Sequence, residues 1–389
     1  MTPAARIAAA AEILDDILAG EAAEKTLTNW ARRRRFAGSS DRAAIRDHVF
    51  DALRCKRSYA VLGGAATGRG LMIGALRAQG ADLAEVFTGL GHSPAVLSDE
   101  EAAGGATPEG MDALDLQDWQ WPILERTLGA EAAEQAQALR LRADVFLRIN
   151  TKKADLEQCI EALSLSGVIA EPHQISPTAL VVRSGGRKVA QSEAYTDGLV
   201  ELQDGASQAV IDMLPLRDGM RILDFCAGGG GKALAMAARV TAQITASDQD
   251  PNRMKDIKQR ADRAGEIITI VEKEDLEGQG LFDLVLCDAP CSGSGAWRRA
   301  PEGKWALTPE RLDELCSVQA EILEQAAQLV APDGVLAYAT CSMFDVENQR
   351  QVEAFCQGAP KWRIVRTKQW TLAEGGDGFF CAILAKDGM

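Results

Sequence analysis

The chain is 389 residues long, 47% hydrophobic and 25% charged, a globular composition that excludes disorder as its main state and implies two or three domains. Its 42 basic and 56 acidic residues leave a formal charge of −14, which argues against a protein that merely coats nucleic acid. Nine scattered cysteines, with no paired C-x-x-C units, speak against a disulfide framework and a structural zinc site, so no metal is expected.

Residues 1–135 read as an all-helical domain. Ile7, Ala11, Leu14 and Leu18 recur at helical spacing. Glu12, Asp15 and Asp16 interrupt what would be the apolar core of a signal peptide. No apolar run reaches the roughly 18 residues of a membrane helix, so no membrane contact and a cytoplasmic location are expected. Ser39-Ser40-Asp41 is placed to cap a helix through Ile45, Val49 and Leu53. Gly63-Gly64 and residues 68–70 read as helix breaks, and 98–111 as an acidic surface loop. Residues 1–77 carry a net +5 and residues 78–140 a net −10. Arg32, Arg33, Arg34, Arg35, Lys56 and Arg57 are therefore candidates for contact with a polyanion, or else a solvated helix face.

Residues 136–205 form a small α/β (RRM-like) unit. Strands are expected over 145–150, 179–182 and 189–190, with a helix over 155–165 and a Gly185-Gly186 turn. From 206 to 389 strands and helices alternate. Strands are expected over 221–226, 244–247, 267–271, 284–287 and 335–339, and a helix over 232–239. That pattern implies a parallel sheet covered on both faces, an α/β fold with ligands at the carboxyl ends of its strands.

Three motifs stand at those ends. Cys226-Ala227-Gly228-Gly229-Gly230-Gly231-Lys232 is a glycine loop between a strand and a helix, and Asp248 ends the next strand. Glycines let the backbone approach a ligand, and a carboxylate placed like Asp248 can take both hydroxyls of a ribose. This fits an adenosine-containing cofactor. Gly228, Gly230 and Ala233 also match the dinucleotide pattern, so the loop alone does not say which one. Cys287-Asp288-Ala289-Pro290-Cys291-Ser292-Gly293 follows a later strand, and Thr340-Cys341-Ser342 another. Cys287 is expected to point into the sheet. Most of the other cysteines are expected to be buried structural thiols. A thiolate that adds to C6 of cytosine makes C5 enamine-like and able to take an electrophilic methyl group. Such chemistry needs a nucleophile, a group on the ring edge and help with release.

These motifs resemble the RsmB/Nop/Sun family of S-adenosylmethionine-dependent RNA cytosine-5 methyltransferases. The resemblance runs from about residue 140 to the end, and residues 1–135 resemble the NusB-like helical domain of bacterial members. Arg148-Ile149-Asn150 resembles the family's Arg-Val-Asn element, and residues 201–208 its lead into the catalytic domain. The resemblance implies a Rossmann-like class I methyltransferase sheet with S-adenosyl-L-methionine as cofactor. It implies Cys341 as nucleophile through a covalent Cys341–C6 adduct, Cys291 as the residue assisting release, and Asp288 on the base and beside the methyl donor. It further implies that Cys226, Ala227, Gly228, Gly229, Gly230, Gly231 and Lys232 cradle the methionine end, with Asp248 on the ribose and Asp275 on the adenine. The family loop reads Cys-Ala-Ala-Pro-Gly-Gly-Lys-Thr. Here Gly228-Gly229 replaces Ala-Pro, which loosens the loop and favours weaker cofactor binding.

Trp297, Arg298, Arg299 and Lys304 follow the Cys291 loop and are expected to hold phosphates and stack on a base. The expected partner is RNA, ribosomal before transfer RNA, with the cytosine unstacked to reach a thiol. A monomer is expected, since no exposed apolar seam is evident. Three other readings compete. A non-catalytic RNA-binding assembly factor predicts broken catalytic positions. A DNA cytosine methyltransferase with Cys291 as nucleophile leaves 340–342 without a role. A nicotinamide-dependent oxidoreductase leaves both cysteine motifs without one.

Overall fold

The computed structural model describes residues 1–387, which form two compact units. The first joins Met1–Arg142 to a later segment, Trp297–Ala306. The second comprises Ala143–Ala296 and Leu307–Met389.

The first unit is helical. Thr2 caps the helix Pro3–Leu18 by accepting from Ala5 N at 3.2 Å, with proline in the first turn where its missing N–H costs nothing. Ile7, Ala10, Ile13, Leu14 and Ile17 bury one face of it. Helices Lys56–Gly63 and Gly68–Ala78 pack at backbone distance, because a Cβ at Gly74 would lie 1.9 Å from the Tyr59 carbonyl oxygen. The expected break at 63–64 is a left-handed glycine, Gly64, at φ +79°. The helix Ser39–Arg54 starts one residue earlier than its expected cap. Gly38 is the cap, and Asp41 reaches back to accept from Gly38 N at 3.3 Å. The stretch 98–111 is not all loop. Asp99–Ala103 is a short helix boxed by Ser98 and Glu101. Arg69 grips Glu101 at 2.6 Å and lowers its pKa to about 2.

The basic residues divide. Arg32, Arg33 and Arg35 are exposed at the end of the helix Ala23–Arg33, and Arg34 pairs with Glu12 at 2.7 Å. Arg57 is committed to Asp112 (2.5 Å), Asp118 (2.6 Å) and the Leu116 carbonyl (2.7 Å).

The segment Trp297–Ala306 corrects an expectation. Trp297, Arg298 and Lys304 are not displayed to a substrate; they are 2%, 7% and 1% exposed. The segment is stitched into the helical unit. Arg54 Nε donates to the Arg298 carbonyl at 2.8 Å, Lys304 Nζ to the Arg54 carbonyl at 2.9 Å, and Trp305 Nε1 to the Leu53 carbonyl at 2.6 Å. Gln117 and Gln120 both donate to the Lys304 carbonyl, at 2.7 and 2.9 Å. Arg299 remains exposed.

The second unit holds two sheets. Strands β1 (Val145–Ile149), β2 (Ile169–Pro172), β3 (Ala179–Ser184) and β4 (Val200–Leu202) form an antiparallel sheet in the order β2-β3-β1-β4. The helix Leu156–Leu165 belongs with it, capped by Asp155, which accepts from Gln158 N at 2.9 Å. Residues 189–190 are not a strand. They lie in the 3₁₀ helix Gly186–Gln191, which the left-handed Gly185 (φ +76°) starts.

Strands β5 (Arg221–Asp224), β6 (Gln243–Ala246), β7 (Ile268–Ile270), β8 (Phe282–Asp288), β9 (Val330–Thr340), β10 (Trp362–Trp370) and β11 (Phe379–Lys386) form the larger sheet, in the order β10-β11-β9-β8-β5-β6-β7. β5 to β9 run parallel, as the alternation implied. β11 is antiparallel to both neighbours, since the short connection after β10 cannot carry a crossover. Alternate residues feed two cores, one on each face. Ile222, Leu284, Leu286 and Ala337 lie in one, and Leu223, Val285, Cys287 and Leu336 in the other. Cys287 thus points into the packed sheet, as expected. The chain runs from β5 to β6 on one side and returns to β8 on the other. The carboxyl ends of β5 and β8 therefore flank the switch point where such sheets bind ligands.

Candidate functional site

The glycine loop leaves β5 at Asp224 and enters the helix Gly231–Ala237. Gly228 (φ +50°) and Gly230 (φ +77°) take left-handed conformations, and a Cβ on Gly230 would lie 2.9 Å from Ile257. Gly228 N donates to Asp248 at 2.8 Å, so the loop rests on the carboxylate that ends the next strand. Asp248 is 2% exposed, and Arg253 pairs with it at 3.1 Å. Beside them lies a cavity of about 300 Å³, lined by Phe225, Cys226, Asp248, Pro290 and Ile322 among others. It meets a second cavity of about 620 Å³ at Phe225, Gln249 and Lys273. One apolar wall, one buried carboxylate and a close glycine backbone suit an adenosine-containing group.

Asp275 is placed differently from the sequence expectation. The one-turn 3₁₀ helix Lys273–Asp275 turns Lys273 into the cavity wall, where its ammonium meets Gln249 Oε1 at 2.6 Å, and leaves Asp275 exposed. Gln249, Arg253, Lys273, Glu274 and Leu276 are among the residues that line the two cavities beyond Asp248.

Lys232 stands at the centre. Its ammonium is 2.5 Å from Asp288 Oδ2 and 4.9 Å above the Phe379 ring. Burial opposes its charge, but Asp288 and Asp224 outweigh that and hold its pKa above the ordinary value. Asp224 is fully buried, and among the described residues neither carboxylate oxygen has a side-chain hydrogen-bond partner. Burial, then the charge of Asp288, raises its pKa to about 7.

The two cysteine motifs converge because β8 and β9 are parallel neighbours with Asp288 beside Ala339. Cys291 Sγ and Cys341 Sγ lie 3.5 Å apart, both half-buried. The hydrogen bond to Cys341, then burial, pushes the Cys291 thiol well above its ordinary pKa, so Cys291 holds its proton at neutral pH. Lys232 is close enough for its charge to couple to Cys341. Gly295 permits the crossing of the loops. Its N–H donates to the Cys341 carbonyl at 3.0 Å, and a Cβ there would lie 1.9 Å from the Gly378 carbonyl oxygen.

Residues 148–150 and 201–208 serve as fasteners. The buried Arg148 donates to the Gly231 carbonyl at 2.9 Å and to Gln203 Oε1 at 2.5 Å, fixing the end of the glycine loop. Asn150 donates to the Ala264 carbonyl at 2.9 Å, and Asp204 accepts from Asp377 N at 3.0 Å. Reasoning from sequence missed Glu347, a fully buried carboxylate between the two cysteine loops.

Comparisons with known proteins bear on the family and the fold. A family model described as 16S rRNA methyltransferase RsmB/F matches residues 211–384, and one for the RsmF/B-like ferredoxin-like domain matches residues 117–189. Ribosomal RNA small subunit methyltransferase B of Serratia proteamaculans (strain 568) is 32% identical over 282 residues, covering 69% of this chain. The match spans 66% of that relative, just under two thirds of its length. The fold is that of the crystal structure of PH0851, with a TM-score of 0.79, 24% identity and 99% of each chain covered. NSun6 from Pyrococcus horikoshii with SFG shares it at a TM-score of 0.62 and 17% identity, over 70% of this chain and 98% of that one. With its class I sheet and both cysteine motifs, the chain belongs to the RsmB/Nop/Sun family of S-adenosylmethionine-dependent methyltransferases.

Proposed function

We propose that the chain methylates C5 of a cytosine in RNA, with ribosomal RNA as substrate, acting as a cytoplasmic monomer. The observation that carries this is the 3.5 Å pair of thiols, Cys291 and Cys341, at the ends of the paired strands that also carry Asp288. S-adenosyl-L-methionine, when bound, supplies the methyl group. Residues 226–232 cradle its methionine end and Asp248 holds its ribose. Gln249 and Lys273 face the adenine in place of the exposed Asp275.

Cys341 attacks C6 of the base, forming a carbon–sulfur bond and leaving C5 electron-rich. Asp288 hydrogen-bonds the ring edge and stabilises that adduct, its position fixed by Lys232. After methylation a water molecule takes the C5 proton, the C5–H electron pair re-forms the C5=C6 double bond, and the C6–sulfur bond breaks, which returns its electron pair to Cys341. Cys291, still protonated, lies within reach of the departing sulfur and assists this step. The exposed Arg32, Arg33 and Arg35 of the helical part, residues 1–135, are assigned to the RNA backbone. The relative's printed name, a small-subunit ribosomal RNA methyltransferase, supports ribosomal over transfer RNA. Among the described residues no helix is long and apolar enough to cross a membrane.

Cys291→Ala and Cys341→Ala, each incubated with S-adenosylmethionine and unmodified ribosomal or transfer RNA, test the reading on a denaturing gel. A covalent protein–RNA band with Cys291→Ala and none with Cys341→Ala is expected, on ribosomal RNA. The reverse pattern would make Cys291 the nucleophile. No band with either RNA, cofactor binding being normal, would favour the non-catalytic factor.

A further inference from the structure

Both catalytic loops close on one buried carboxylate. Glu347 is 0% exposed and lies just beyond Cys341, in the 3₁₀ turn Asp345–Glu347. It accepts from Ser292 N at 2.7 Å and from Ser292 Oγ at 2.5 Å, and Ser292 is the residue after Cys291. It also accepts from Ser342 Oγ at 2.5 Å, and Ser342 is the residue after Cys341. Gln319, buried on the helix Pro309–Gln328, donates to Glu347 at 3.1 Å and to the Pro290 carbonyl, just before Cys291, at 2.9 Å.

The proton count fixes the direction of this network. A serine hydroxyl has one hydrogen to give. Those of Ser292 and Ser342 both point at Glu347 Oε2. The Ser342 oxygen is then free to accept, and it does so from Phe344 N at 3.0 Å and within reach of Ser294 Oγ at 3.0 Å. Ser294 in turn accepts from Met343 N at 2.8 Å. An ionised carboxylate offers acceptors alone, so it can hold both serines at once. An amide in its place would turn its N–H₂ either toward the two serine hydroxyls or toward Ser292 N and Gln319 Nε2, and all of these are donors in this network.

We infer that Glu347 is a positioning residue that sets the distance between the Cys291 and Cys341 thiols by holding the serine that follows each. It does not touch the base. The inference rests on reading these thiols as the catalytic pair. The loops meet through Glu347, so each serine tunes its own cysteine. Loss of the Ser342 arm frees Cys341 and slows attack, whereas loss of the Ser292 arm frees Cys291 and slows release.

The test uses the full chain and three variants, Glu347→Gln, Ser342→Ala and Ser292→Ala, with melting curves for each and separate measurement of kcat and of KM for S-adenosylmethionine. Glu347→Gln is expected to lower kcat about a hundredfold, the scale for a reacting group displaced by about 1 Å, with KM for the methyl donor within about twofold. Ser342→Ala is expected to slow adduct formation severalfold. Ser292→Ala is expected to accumulate adduct on a denaturing gel, as Cys291→Ala does. If Glu347→Gln fails to fold, the serine variants decide. Serine variants that lower the melting midpoint but form and release adduct at the parent rates would overturn the inference, because Glu347 would then only support the fold. Cys291→Ala alone is the control. Adduct from it with unchanged serine variants sinks the Glu347 role alone, whereas none from it sinks the thiol assignment and the inference together.

Discussion

Lys232 shows how much one side chain settles here. It neutralises Asp288 and faces Asp224, whose carboxylate is fully buried. Lys232→Met would leave the buried Asp224 and the partly exposed Asp288 without a countercharge, a loss of about 2 kcal/mol, below the range for a fully buried pair because Asp288 is 32% exposed. The pH dependence follows from Asp224. Its folded pKa, about 7, lies above the ordinary carboxylate value, so its ionisation costs stability as pH rises towards 7. Below that range Asp224 is protonated and repels Asp288 less. The melting midpoint of Lys232→Met should therefore fall further at pH 8 than at pH 5.5, relative to the parent. An equal fall at both would mean that Asp224 does not titrate in this range. At this scale the sequence was most legible where a motif ends a strand, because strand ends converge by topology. Asp288, Cys291 and Cys341 were readable for that reason. Glu347 was not, since a glutamate a few residues past Cys341 has no signature until the loops fold over it.

Among elements, β5, β6, β8 and β9 announced themselves as apolar runs between glycine and proline breaks. β10 did not. It is an edge strand that carries Arg363, Arg366 and Lys368, and most of it stays open to solvent, so its pattern reads as loop. The segment from Trp297 to Lys304 misled in the other direction, since Trp297, Arg298 and Lys304 suggested a substrate surface and pack inward instead. Lys304 pays for that placement: burial lowers its pKa to about 8. A base whose pKa drops on folding carries its full penalty below the folded pKa and sheds it as pH rises from there to the unfolded value. The parent should gain stability between pH 8 and about 10.5 from this group. Lys304→Met should lack that gain. Its melting midpoint, compared with the parent's, should be more favourable at pH 7 than at pH 10, as a pair of thermal scans would reveal. A constant difference would show that Lys304 keeps an ordinary pKa.

At the scale of the whole molecule, the division of the chain was the least legible feature. Composition separated a helical part from an α/β part, but nothing in the sequence marks Trp297–Ala306 as belonging with residues 1–142. The chain enters the first unit twice, and the second entry begins five residues after Ser292. Removing 1–142 would therefore not release a clean catalytic fragment. It would strip the segment of Ala23, Leu53, Arg54, Gln117 and Gln120, which hydrogen-bond to Glu302, Trp305, Arg298 and Lys304. Trp297 and the stem of Lys304 would become an exposed apolar patch on a long surface excursion. A fragment starting at residue 143 should be largely insoluble. The same fragment with 297–306 replaced by a short glycine–serine link should recover solubility and stay monodisperse by light scattering, because a flexible link closes the gap without burying surface. If both fragments behave alike, the segment is an ordinary loop that the helical unit merely covers. If the second alone is soluble, segment 297–306 belongs with the helical unit, and the two units cannot be separated at a domain boundary drawn along the sequence.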